Sequence, residues 1–478
     1  MPIGNVEELI VWPPTTLFDT IPDGSLVIYA NASQDGLAVF FIHSEGVLDA
    51  KYDENATSEL LSTTAYEFIS RVRLEHQDAD MNDLMNSALI PLSIQLIKPF
   101  QKHIKLKKHI IFVPTASLSQ FPVETLIYPV PEDRADLPPM TGDEYFGVQK
   151  AVSQVTSLSF YQYLRNRDIN KPKALTTCFI ARPGSLREEM LGGEAALPLA
   201  GIEALFISQL VGKPVLRAEQ QTKAAFLNQL EEHGIMHIAT HGYLDHEAPF
   251  LSQISLGEDT RVVDMMKART KASLVIFSAC NTAAGLLSSS DDVVGFPYAV
   301  LAAGANAFLG SLWATNDLST LVHMHHLYTL LLLMHRAETL AYTLFRATRM
   351  LFYSTTDQVA RMLQTLLDTW NEWEAKEIHP ETIVKRGKDL QAAIKSLRSI
   401  HGNRMINWKH PYIWASFMMV GNGDIERKLT EWQREFERLR DASREAGEEL
   451  TTESELRIYQ ELEKMNFSTT TTGEISGS

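Results

Sequence analysis

Two stretches decide the fold: "IMHIATHGYLDHEAP" at 235–249 and "LVIFSACNTAAG" at 274–285. Each opens with a short apolar run and breaks at a small or polar turn, the first at His241-Gly242 and the second at Cys280. Short apolar runs bounded by turn residues read as strands buried on both faces, as in the middle of a parallel sheet. Helical patterns surround them. "AGIEALFISQLVG" ends at Gly212, and "TKAAFLNQLEEHG" has Gln221 or Thr222 near its start and Gly234 past its end. "VVDMMKA" and "VVGFPYAVLAAG" read as helices, and "ALTTCFIA" and "NAFLGSLW" as further strands. Strands alternating with helices of this length predict an α/β fold with a doubly wound, mostly parallel sheet flanked by helices. In open α/β sheets functional groups gather beyond the carboxyl ends of the strands. His241 and Cys280 both stand there, one strand–helix–strand excursion apart. Neighbouring strands lie about 4.8 Å apart, so the two side chains can meet.

Outward from this centre the pattern is simpler. Residues 24–43 read as two β-rich runs around the turn "ASQDG", and 58–106 as helical. "HIIFVPTASLSQFPVETL" at 109–126 reads as strand, turn and short helix, and 131–142 as a Pro- and Asp-rich loop. Residues 317–354 are helical, 355–400 are charged helical segments, and "HPYIWASFMMVGNG" at 410–423 is a strand between turns. A charge-laced helix is expected over 424–465, and the polar 466–478 is expected to be disordered. No internal repeat is evident.

Composition narrows the function. The chain has 478 residues, 45% hydrophobic, with net charge −16. That balance argues against a nucleic-acid or membrane-surface partner. Two cysteines, Cys178 and Cys280, make no disulfide framework. The start "MPIGNVEELIVWPP" lacks the basic residues and apolar run of a signal peptide, so a reducing, cytoplasmic setting is expected. "LVHMHHLYTLLLLMHRAETLAYTLF" is interrupted by charge and reads as a buried helix, not a membrane span.

The chemistry open to His241 and Cys280 is nucleophilic. An imidazole helps generate the thiolate, and the backbone N–H groups of Gly242 and Cys280 are candidate oxyanion donors. Cys178, inside "LTTCFIA" with no glycine turn after it, reads as structural, and His237 as packed in the sheet. His237 and His241 have the HxxxH spacing of zinc peptidases, but the segment alternates like a strand and residue 238 is Ile, so no metal is expected. No cofactor is expected either. Neither a phosphate-binding P-loop nor G-x-S-x-G occurs.

"HIATHGY", "LVIFSACNTAAG", "GFPYAVLAAGANAFLGSLWATND" and "HPYIWASFMMVGNGD" closely resemble the CHAT domain, a caspase-like domain of the caspase–separase clan of cysteine peptidases, often found with TPR repeats. The resemblance covers roughly 20–423, apart from 355–400. It implies a caspase-like core over 108–423 with a helical insertion near 355–400, preceded by an N-terminal β/helical lead-in over 1–107 that packs on that core. It implies a catalytic dyad, with His241 as base and Cys280 as nucleophile, aided by Gly242. "SLWATND" resembles the separase stretch ending in a substrate-reading acid, which falls on Asp317; Asp291 and Asp292 are weaker alternatives. A carboxylate there would favour a basic residue before the cut. The competing role for Asp317 is to cap the helix that follows. The chain lacks the TPR repeats the family commonly carries. The expected partners are a protein substrate and a regulatory protein held by the N-terminal region or the C-terminal helix. The rival function is a CHAT-fold assembly module without catalysis.

Overall fold

The computed structural model describes residues 17–130, 142–166, 177–181, 198–210, 222–232, 234–245, 247–256, 259–270, 272–287, 293–333, 339–375, 391–395 and 406–424. The strands are β1 (Ser25–Ser33), β2 (Gly36–His43), β3 (Gly46–Asp53), β4 (His109–Pro114), β5 (Ala151–Gln154), β6 (Thr177–Ala181), β7 (Ile235–Ala239), β8 (Gly242–Tyr243), β9 (Gln253–Ser255), β10 (Asp259–Arg261), β11 (Leu274–Ser278), β12 (Gly285–Leu287), β13 (Val293–Gly295), β14 (Ala307–Ser311) and β15 (Phe417–Gly421). The main helices are α1 (Ser58–Glu75), α2 (Pro198–Leu210), α3 (Lys223–Glu232), α4 (Phe296–Ala303), α5 (Asp317–Leu333), α6 (Leu340–Phe352) and α7 (Thr356–Ala375).

Ten strands form one sheet in the order β3-β2-β1-β4-β5-β15-β14-β11-β7-β6. The block β6, β7, β11, β14 is parallel throughout, and so is the block β1, β4, β5. β2 and β3 run as an antiparallel meander on the outer edge, and β15 is antiparallel to β14. The α/β class and the mostly parallel, helix-flanked sheet are those predicted from the alternation of apolar runs. The β-rich lead-in is continuous with this sheet, because β1 pairs in parallel with β4 from Ser25↔His109 to Ala30↔Pro114. β3 is an edge strand with mostly exposed residues, so its sequence carries no apolar alternation to reveal it. The charged segment 424–465 and the tail lie outside the described residues, except for Asp424.

Both faces of the sheet are covered, which is why its central strands are apolar along their whole length. In the second block, Met236, Ile238, Val275, Phe277 and Phe308 face one core with Phe226, Leu230, Phe296 and Val300 of α3 and α4. Ile235, Leu274, Ile276 and Leu309 face the other with Ile207 of α2 and Met324, Leu327 and Leu344 of α5 and α6. α1 covers the first block through Leu61, Ala65, Phe68 and Val72. Thr57 caps α1, its hydroxyl accepting from the Leu60 N–H at 3.3 Å.

One buried polar cluster fastens the first block to the end of β15. His109 Nδ1 lies 2.7 Å from Asp424 Oδ1, and its Nε2 lies 2.9 Å from Ser153 Oγ. Ser25 donates to Asp424 Oδ1 at 3.2 Å and Tyr161 donates to Oδ2 at 2.9 Å. Burial opposes the charge on Asp424, but the attraction and hydrogen bond of His109, the Tyr161 hydroxyl and Arg165 outweigh it, leaving the carboxyl at about 2.

Candidate active site

β7 and β11 run side by side in parallel, with Ser278 opposite Ala239 in their last register pair. The Thr240 N–H continues the pairing by donating to the Ser278 carbonyl at 3.3 Å. Two residues beyond that pair on each strand stand His241 and Cys280, at the same end of adjacent strands and both half-buried.

After His241 the chain turns into β8, which pairs antiparallel with β9. The Ser255 N–H donates to the His241 carbonyl at 2.9 Å, which makes Gly242↔Ile254 a non-hydrogen-bonded pair and turns the Gly242 N–H away from that ladder. Gly242 lies against the cysteine loop: a Cβ there would stand 2.5 Å from the Cys280 carbonyl oxygen and 2.8 Å from the Thr282 methyl. Only glycine allows this approach.

The loop after β11 is wound tightly. Asn281 has φ 57°, the left-handed region that Asn tolerates better than most residues. Thr282 and Ser311 hydroxyls both donate to the Ala279 carbonyl, at 2.9 and 2.7 Å, and the Ala283 N–H donates to the Ser311 carbonyl at 2.7 Å. Cys280 is thus presented at the apex of a turn tied to the neighbouring strand. On its far side the Gly285 N–H donates to Gln120 Oε1 at 3.3 Å, bringing the loop after β4 to the same edge of the sheet.

The exit of β14 forms the third wall. Thr315 lies within reach of the Cys280 sulfur, where its backbone N–H and its hydroxyl favour the thiolate. Burial pushes the Cys280 thiol up, Thr315 opposes the rise, and the Asp317 carboxylate adds to it. Tyr412 is also within electrostatic reach of the thiol. Asp317 begins α5, but the cap of that helix is Asn316, whose Oδ1 accepts from the Ser319 N–H at 3.1 Å. Asp317 Oδ2 instead accepts from the Leu199 N–H at 3.0 Å, at the start of α2.

The structure therefore gathers His241, Gly242, Cys280 and Asp317 around one edge of the sheet. Asp291 and Asp292 lie outside the described residues. Cys178 falls on β6, opposite Met236 of β7, and its side chain lies outside the described residues. His237 is buried in the sheet, its Nε2 2.8 Å from Glu203 Oε1. Thr315, Asn316, Tyr412 and Gln120 were not singled out by the sequence, since a lone Thr or Gln in a loop carries no spacing signal.

The sequence matches the family model described as CHAT domain over residues 85–422. The chain belongs to the CHAT domain family. No curated protein sequence matches it. Solved structures similar to this CHAT protein include separase in the Saccharomyces cerevisiae separase–securin complex, at 13% identity and TM-score 0.37, over 78% of this chain and 21% of that one. The Arg-specific cysteine proteinase gingipain R is similar at 8% identity and TM-score 0.40, over 76% of this chain and 74% of that one. The complex of the pro- and mature domains of Porphyromonas gingivalis RgpB is similar at 10% identity and TM-score 0.38, over 77% of each chain. The chain spans about a fifth of the length of the separase chain. Among the described residues no helix is long and apolar enough to cross a membrane.

Proposed function

We propose that this CHAT protein is a cysteine endopeptidase acting on a protein substrate in the cytoplasm. The observation that carries the reading is the placement of His241 and Cys280 two residues past a shared register pair of adjacent parallel strands. His241 would accept the thiol proton as Sγ attacks the acyl carbon of the scissile bond. The Gly242 and Cys280 N–H groups would hold the resulting oxyanion. The imidazolium would return its proton to the leaving amine, and water would then hydrolyse the thioester. Asp317, within electrostatic reach of the sulfur, would bind the side chain of a basic residue before the cut, and Arg, which can pair bidentately, ahead of Lys. A regulatory protein partner would act on a thiol that burial pushes up in the free chain.

Cleavage of a peptide library that varies only the residue before the cut tests this. Cleavage after Arg or Lys by wild type, and none by Cys280→Ala, is expected. A preference for acidic or aliphatic residues removes Asp317 from the role. The second reading, a CHAT-fold assembly module, is favoured by one observation: burial pushes the Cys280 thiol up, away from the thiolate a nucleophile needs. No cleavage of any library member, by protein that is folded and supplied with its regulatory partner, supports that reading.

A further inference from the structure

α1 and the turn after it precede the matched family region 85–422, yet they touch the walls of the site. Arg73, in the last turn of α1, donates from Nη2 to the Leu312 carbonyl at 2.6 Å. Its Nε is buried without a hydrogen-bond partner, and no carboxylate among the described residues pairs with it. Burying part of a guanidinium is costly, so an arginine kept here without a counter-charge is held for the bond it does make. Three residues on, the His76 ring stacks on Tyr412 at 4.7 Å. Gln77 Oε1 accepts the Asn407 N–H at 2.8 Å.

The carbonyl that Arg73 grips is at a decisive point. Leu312 and Trp313 carry the chain from β14 to Thr315 and Asp317. Their other groups are already tied: Leu312 N–H to the Ser416 carbonyl at 2.8 Å, Trp313 Nε1 to the Tyr412 carbonyl at 3.1 Å, and the Trp313 carbonyl to Ser311 Oγ at 3.1 Å. All of those ties come from the second block and the segment before β15. Arg73 supplies the one from α1, across the sheet's first block.

We propose that Arg73 is a positioning residue of the site: through the Leu312 carbonyl it sets the path of residues 312–317, and so the placement of Thr315 and Asp317 relative to Cys280. The peptidase reading gives this role its use, and a clamp on the N-terminal helix is then a point from which a partner can loosen or tighten the site.

The test follows the thiol, not turnover. Only the thiolate is alkylated rapidly, so the iodoacetamide rate at Cys280 against pH reports how well Thr315 is placed; His241, Asp317 and Tyr412 are the titratable groups around it. Arg73→Met should move that titration upward and cut the neutral-pH alkylation rate about three- to tenfold, with Arg73→Lys partly restoring it. In a Thr315→Val background Arg73→Met should have a smaller effect than in wild type, because the hydroxyl it positions is gone and only the backbone N–H remains. If Arg73→Met does not fold, Arg73→Lys alone, read the same way, must show a smaller shift of the same sign. A folded Arg73→Met with the wild-type titration overturns the inference, as does an additive effect with Thr315→Val. Library cleavage is read in parallel. A protein that cleaves nothing but shows the Arg73 shift loses the peptidase reading and keeps this one; a cleaving enzyme indifferent to Arg73 does the reverse.

Discussion

Two histidines of one sheet sit in opposite surroundings. His109, at the start of β4, lies between Ser153 Oγ at 2.9 Å and Asp424 Oδ1 at 2.7 Å, a serine–imidazole–carboxylate chain closed to solvent at 1%, 4% and 6% exposure. His241, past the end of β7, is half-buried beside a half-buried cysteine. By connectivity alone the first looks like hydrolytic machinery. Burial assigns it differently: the polar atoms there join β1, β4, β5 and Tyr161 to Asp424, three residues past β15. The second cluster stands half-buried at the carboxyl ends of parallel strands, where open α/β sheets place their ligands. Access, more than residue type, separates a fastening from a site.

That contrast breaks if mutations fall the wrong way. Cys280→Ala should abolish turnover, by a thousandfold or roughly more, while changing stability by no more than about 1–2 kcal/mol. Paired kinetic and denaturant measurements check both numbers. Asp424→Asn should do the converse. It leaves His109 buried with a broken pair and should cost about 3–5 kcal/mol, read as a shift in the unfolding midpoint, with activity per folded molecule unchanged. Activity lost in folded Asp424→Asn would mean that the buried cluster takes part in the chemistry.

Asp317→Asn sharpens the picture on the open side. Removing a charge that pairs with a basic substrate should lower turnover of Arg peptides roughly thirtyfold or more. The same change removes a carboxylate that holds the Cys280 thiol up, so alkylation at neutral pH should become faster. A purely structural Asp317 would leave cleavage preferences as in wild type.

The smallest effect is pH-dependent stability. The Asp424 carboxyl is held at about 2 in the folded chain, below its ordinary value of 3.8. Its contribution is present above about pH 4 and is lost as pH falls toward 2, on the order of 2 kcal/mol. Denaturant midpoints between pH 2 and 7 should show this acid limb in wild type and lack it in Asp424→Asn.

Much of the second block was legible because buried parallel strands are apolar along their whole length and stop at conspicuous residues. His241, Gly242 and Cys280 stood out for that reason, and their shared register follows from β7 pairing with β11. The exposed edge strand β3 had no such signal. Asp317 was legible as an acid after a strand, but its bond to Leu199 joins residues 118 apart, and the capping role fell to Asn316. Arg73 was not legible at all: its partner is a backbone carbonyl 239 residues away, and sequence carries no mark of such a contact.

The most direct measurement is labelling with an acyl-oxymethyl-ketone or peptide-epoxide probe carrying Arg before the reactive group, followed by mass spectrometry of the modified peptide. One adduct is expected, on Cys280, lost in His241→Ala and weakened in Asp317→Asn, with Cys178→Ala labelled as wild type. An adduct on Cys178, or a folded, partner-activated protein that stays unlabelled, would contradict it.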